Sequence, residues 1–125
     1  MTPFGPDRAY RHDRGSATVE LATALPVLVF LLAVALSAVG AVTVQMRCVD
    51  AAREGARAAA RGEPEARVAA LARQEAPSGA RIEVAPAGAG MVAVTVTCRV
   101  PLAGRLAPVT VHARASAAVE PGVPP

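Results

Sequence analysis

Glu20 stands four residues after Ser16, one helical turn on, at the mouth of a run in which no further charged side chain occurs until Arg47. Ser16 follows Gly15, within the stretch RGSATVELA at positions 14–22. A carboxylate inside a bilayer costs roughly 2.5–3.5 kcal/mol, so such a group persists when something pairs with it. A cut after Gly15 would make Ser16 a new N-terminus with a cationic amine, and Glu20 the fifth residue of the mature chain. In a bundle of such chains the amine of one would meet the carboxylate of its neighbour, and each charge would have its partner only in the assembled state. The other reading is a glutamate at a helix start that reaches back to the headgroups, where the helix dipole also favours it. The residues alone leave both readings open.

Cys48 and Cys98 are the second reactive pair. Their spacing matches no CxxC or zinc pattern. If the segment around them lies outside the cytoplasm a disulfide is the natural reading, with two buried free thiols as the alternative. No catalytic constellation accompanies them. His12 falls near the N-terminus and His112 on the outward face of a strand, neither beside a second histidine or a close acidic pair. The serines have no evident partner base. Gly88 and Gly90 in PAGAG follow a strand but lead into another strand rather than a helix, unlike a phosphate-binding loop. The expectation is therefore a protein without enzymatic activity, cofactor or metal.

The 125 residues allow one small domain plus an appendage, and 53% of them are hydrophobic while only 2% are aromatic. Alanine and valine supply most of the apolar content and fill a thin core poorly. The net charge of +3 comes from arginines spread along the chain, and one tyrosine without tryptophan offers little stacking surface, which argues against nucleic acid as a partner.

The elements that must position these groups follow from periodicity. Residues 1–15 form a polar, basic leader. Residues 21–46 carry no charge and, at about 1.5 Å per residue, are long enough to span a hydrocarbon core of roughly 30 Å with some tilt. That run is too long for a cleavable secretory signal and reads as a retained membrane helix. Pro26, within its first turns, removes a helix hydrogen bond and should bend the helix. Ala33, Ser37 and Ala41 recur every four residues and would let another helix approach closely. Helical character continues through RCVDAAREGARAAARG, where Cys48, Ala52, Ala56 and Ala59 share one face and Glu54 can pair with Arg57 at i,i+3. One helix is thus expected over about 16–61, stopped at Gly62. A short second helix follows, with Pro64 in its first turn and Val68, Leu71 and Ala72 as its apolar stripe.

From Arg81 the period changes to two. RIEVA points Ile82 and Val84 inward. MVAVTVTCRV places Val92, Val94, Val96, Cys98 and Val100 on one face and Thr95, Thr97 and Arg99 on the other. PVTVHARAS points Val109, Val111 and Ala113 inward. The expected fold is α+β: a long N-terminal transmembrane helix extending into a small head of one short helix and an antiparallel sheet of about three strands. The corresponding segments are a leader (1–15), a transmembrane and assembly helix (16–46), a head (47–120) and a tail (121–125). Cys48 on the apolar helix face and Cys98 on the apolar strand face both point to where helix and sheet meet. A bond there closes a loop of about 50 residues, worth ~4 kcal/mol in the chain-entropy model.

The stretch RGSATVELATALPVLVFLLAVALSAVGAV resembles the start of a type IV prepilin, and most closely the TadE-like minor pilins, or pseudopilins, of tight-adherence (Flp-type) pili. The matching features are a short basic leader ending in glycine, a glutamate at the fifth mature position, and Pro26 six residues after that glutamate. The downstream AAREGARAAA is similar to the family's post-membrane helix, and the valine- and threonine-rich sheet is similar in layout alone. The resemblance implies that a prepilin peptidase cuts between Gly15 and Ser16, and that the mature chain waits in the inner membrane with its head outside. A cytoplasmic ATPase and an inner-membrane assembly platform would then move it into a filament for surface adherence. Glu20 would guide docking by pairing with the Ser16 amine of a neighbouring pilin subunit. Arginines lie on both sides of the span, so charge alone does not set its orientation. The alternatives are a single-pass membrane protein whose head binds a partner without polymerising, and a pseudopilin of a type II secretion machine.

Overall fold

The computed structural model describes Met1, residues 13–102 and residues 107–122; most of the expected leader, with His12, and the end of the expected tail lie outside the described residues. The fold is α+β. Helix α1 covers Asp13–Ala60 and α2 covers Glu65–Glu75, followed by strands β1 (Arg81–Pro86), β2 (Met91–Leu102) and β3 (Ala107–Ala118). Two compact units divide the chain, Met1–Leu36 and Ser37–Pro125, with the division inside α1.

In the first unit α1 is apolar and open to its surroundings. Leu21, Leu25, Leu28, Phe30 and Leu32 are all exposed. A stretch of α1 within Ala17–Ala60 is long and apolar enough to cross a membrane, with a mean hydropathy of 2.7.

In the second unit, α1, α2 and the sheet enclose a core of small side chains. Its largest fully buried members are Val68, Val94, Val96 and Cys48. Cys48, Ala52 and Ala56 lie in it, with Ala59 packed against it. Ala51 and Ala58 are also fully buried, on a flank of α1 that the alanine and cysteine stripe does not include. Arg47, on that flank, donates to the Glu75 and Ala76 carbonyls at 3.3 and 3.4 Å, at the C-terminus of α2. A cation there satisfies carbonyls that have no partner within the helix and faces the negative end of its dipole.

The end of α1 follows from Gly62. Its φ of +75° is open to glycine without strain. The Glu63 N–H then reaches back to the Ala58 carbonyl and the Gly62 N–H to that of Ala59, which together form a Schellman cap. Pro64, expected inside the first turn of α2, is its N-cap instead, with ψ at 145°. Its carbonyl accepts from Arg67 and Val68, so the proline serves the helix start without belonging to it.

At Gly55 the three layers approach one another closely. A Cβ added there would lie 3.0 Å from Val94 Cγ1 and 3.3 Å from Ala72 Cβ. Gly55→Leu is therefore expected to lower stability by about 3 kcal/mol through overpacking. Gly55→Ala should be much milder, because the tight methyl is offset by the better helix propensity of alanine. Denaturant midpoints of the full chain in detergent would check the ranking, and equal midpoints for Leu and wild type would show that the three layers do not close on Gly55.

The sheet is antiparallel in the order β1-β2-β3. Arg81 to Pro86 pair with Thr97 to Val92, and Met91 to Leu102 pair with Ala118 to Ala107. Val94, Val96, Cys98 and Val100 are buried against the helices, while Ile82, Val84, Val111 and Ala115 are half-buried at the margin. Val109 departs from the expected pattern. It keeps the inward parity but is 43% exposed, because β3 is an edge strand, while its partner Val100 on the central strand is buried. Pro101 and Pro108 face each other across β2 and β3. An antiparallel ladder has non-hydrogen-bonded pairs, and two prolines opposite one another cost no bond at such a pair.

Candidate functional site

The site residues expected from sequence fall in two places. Gly15 and Ser16 belong to the first turn of α1, and Glu20 follows one turn later, exposed. Helix geometry puts Glu20 at the head of a stripe with Ala24, Val27, Leu28 and Leu31, and these residues together line an open apolar depression. Thr23 folds its hydroxyl back onto the Val19 and Glu20 carbonyls at 3.0 Å, so its polar group is satisfied within the helix. Pro26 lies inside α1, which continues through it. It has no N–H to give to the Ala22 carbonyl, so the ladder of α1 is weakened one and a half turns past Glu20. This arrangement can do one kind of chemistry: a single carboxylate beside an otherwise uncharged, unpartnered surface can receive a cation carried on another apolar surface.

The second place is the junction of α1 and β2. Cys48 and Cys98, both buried, are joined in a disulfide across 50 residues of sequence. The bond ties the helix to the central strand where each presents its apolar face. Among the described residues there is no free cysteine and no group of three or more His, Cys, Asp or Glu that could hold a metal ion. His112 is exposed on β3, where its Nδ1 shares a hydrogen bond of 3.2 Å with the Thr97 hydroxyl. PAGAG is the turn between β1 and β2, closed by the Ala87 N–H on the Met91 carbonyl at 2.8 Å.

The ion pairs among the described residues both lie within α1. On α1 two arginines have carboxylate partners one turn away: Arg57 with Glu54 at 3.4 Å, as the i,i+3 spacing predicts, and Arg53 with Asp50 at 4.0 Å. Both pairs are solvent-facing and add little to stability. Sequence reasoning missed Arg47 and Gly55. Arg47 is one of several arginines after the span, and only the position of α2 singles it out; Gly55 had a local signal, a glycine within an alanine-rich helical segment.

Comparison with known proteins adds the last observations. The family described as TadE-like protein matches residues 15–57, the part of α1 that holds Ser16, Glu20, Pro26 and Cys48. A protein of Mycobacterium tuberculosis (strain ATCC 25618 / H37Rv) named apoptosis inhibitor Rv3655c is 42% identical over 104 residues, covering 83% of this chain and 79% of that protein. No solved structure matches the chain.

Proposed function

Because the chain belongs to the TadE-like family, whose members are associated with Tad pili, we propose that it is a minor pilin of such a system, processed by a prepilin peptidase and assembled through α1. The observation that carries this reading is the exposed apolar surface of α1 with one carboxylate at its head, Glu20, four residues after Ser16. A lipid-facing helix alone gives no reason for that carboxylate; a neighbour's amine does.

The sequence of events is then as follows. The basic leader stays in the cytoplasm, and cleavage after Gly15 exposes the Ser16 amine. For cleavage the first turn of α1 has to open, and a helix end is where opening costs least. The mature chain sits in the inner membrane with its head outside, in the oxidising compartment where a Cys48–Cys98 bond persists. Extraction by the platform transfers the apolar surface from lipid to the filament, and the Glu20–amine pair sets the register. As a minor subunit the protein primes, caps or modulates the filament.

Gly15→Val is expected to leave the leader attached, because a branched side chain replaces the hydrogen that the cleavage site presents. Intact-mass measurement of the membrane-extracted protein from cells with an active peptidase should show the wild type starting at Ser16 and the variant retaining residues 1–15. A wild-type mass that still includes the leader would refute processing.

A further inference from the structure

The face of the sheet turned away from the helices carries an array that the pilin reading does not use. The register places Arg81, Thr97 and His112 in one row across β1, β2 and β3, and Glu83, Thr95 and Arg114 in the next. Arg99 and Thr110 form the row on the other side. From strand spacings of about 4.8 Å and a rise of about 3.4 Å per residue, Arg81 and Arg99 are about 8 Å apart at Cα and Arg99 and Arg114 about 14 Å. The three arginines therefore surround the Thr97–His112 pair. All three are exposed. None makes an ion pair among the described residues, whereas Arg53 and Arg57 on α1 do. Glu83 is the face's one carboxylate, so the face is net cationic. An open depression of about 740 Å³ runs along Ser78, Arg81, Glu83, Thr97, Arg99 and Thr110.

We propose that this face is a docking surface for an acidic polysaccharide whose sugars carry carboxylates, a uronate polymer. It rests on the head lying outside the cytoplasm, as proposed above. Guanidinium groups bind carboxylates in bidentate fashion, and the threonine hydroxyls supply donors and acceptors for sugar hydroxyls between them. A polymer with repeated carboxylates meets several arginines at once, so weak single contacts accumulate. A folded protein partner is the poorer fit. The outward residues of the three strands include no phenylalanine, tyrosine or tryptophan and no large aliphatic beyond Met91, and it is such anchors that carry stable protein interfaces. A duplex nucleic acid would satisfy both the charge and the threonines through its phosphates, but a head outside the cytoplasm does not ordinarily meet it, and DNA is the competing occupant in the test.

The test uses the purified, oxidised full chain in detergent, immobilised and exposed to polygalacturonate, neutral dextran or duplex DNA at about physiological ionic strength, where surface charges are screened beyond about 8 Å. Polygalacturonate should bind and dextran should not. The triple variant R81Q/R99Q/R114Q should weaken polygalacturonate binding at least tenfold, while R67Q/R73Q, on exposed positions of α2, should leave it within twofold. An intact disulfide in the triple variant, seen by non-reducing peptide mapping, shows that its head is folded. Absent polygalacturonate binding, an equal loss in the α2 variant, or DNA binding as tight as polygalacturonate would each overturn the proposal. Binding of the purified chain depends on neither cleavage nor polymerisation, so a chain found unprocessed in cells removes the pilin reading and leaves this result standing, and the reverse also holds.

Discussion

Glu20→Ala is expected to reach the membrane as well as the wild type or slightly better, and to enter filaments at least about tenfold less. The first half follows from transfer energetics, since removing a carboxylate from the start of an apolar span relieves a polar group of its desolvation cost. The second follows from pairing. A charge-assisted hydrogen bond is worth about 1.5–3 kcal/mol, and each 1.4 kcal/mol is a factor of ten in an equilibrium. Glu20 heads the stripe of Ala24, Val27, Leu28 and Leu31, so the loss leaves the apolar contact area intact and removes what sets its register. Glu20→Gln should fall between the two, since it still accepts a hydrogen bond but carries no charge. Each variant would be expressed beside the wild-type assembly machinery and quantified in the membrane pool and in sheared filaments. Equal filament incorporation of Ala and wild type would make Glu20 an interfacial residue only, and the assembly role of the Ser16 amine would go with it.

Breaking the Cys48–Cys98 bond should cost the head most of its stability. The bond closes 50 residues, and the chain-entropy account of such a loop gives ~4 kcal/mol. Native domains as a class have only about 5–15 kcal/mol in hand. This head sits at the low end, because Val68, Val94, Val96 and Cys48 are the largest side chains it fully buries. Replacing both cysteines by alanine, or reducing the bond after partial unfolding, should therefore move the guanidinium midpoint of the full chain sharply down and make the sheet protease-sensitive under conditions where the oxidised protein resists. The two sulfurs are buried, so reductant should act slowly on the native protein and quickly once it is loosened. Coincident midpoints for oxidised and reduced protein would show that the core stands without the bond.

Much of the fold is legible in the sequence because it follows from rules that act over a few residues. The uncharged run from Leu21 to Met46 needs only a length and a composition to read as a span. The alternation in MVAVTVTCRV predicts the burial of Val94, Val96, Cys98 and Val100, though not that of Ala93, whose parity is outward, and the i,i+4 spacing of Cys48, Ala52 and Ala56 predicts the inward face of α1, since both periods are properties of the local backbone. The two cysteines point toward one junction for the same reason. Glu20 is conspicuous by its charge alone, and Gly62 stops the helix by its own conformational freedom.

What remains needed the tertiary structure. Periodicity says that α1 has an apolar face but not how wide a neighbour will make it. Ala51 and Ala58 are buried because α2 lies along the flank whose end Arg47 caps, and an alanine-rich sequence reads the same on either flank. Gly55 matters only because Val94 and Ala72 arrive there from elsewhere in the chain. Val109 has the right parity and the wrong place, since parity fixes a direction and not the extent of the core. The gathering of Arg81, Arg99 and Arg114 onto one open face depends on the register of β1 on β2 and of β2 on β3. A shift of one residue in either pairing would turn a strand's side chains to the opposite face, so that arrangement is decided by the contacts that lock the register rather than by any strand read alone.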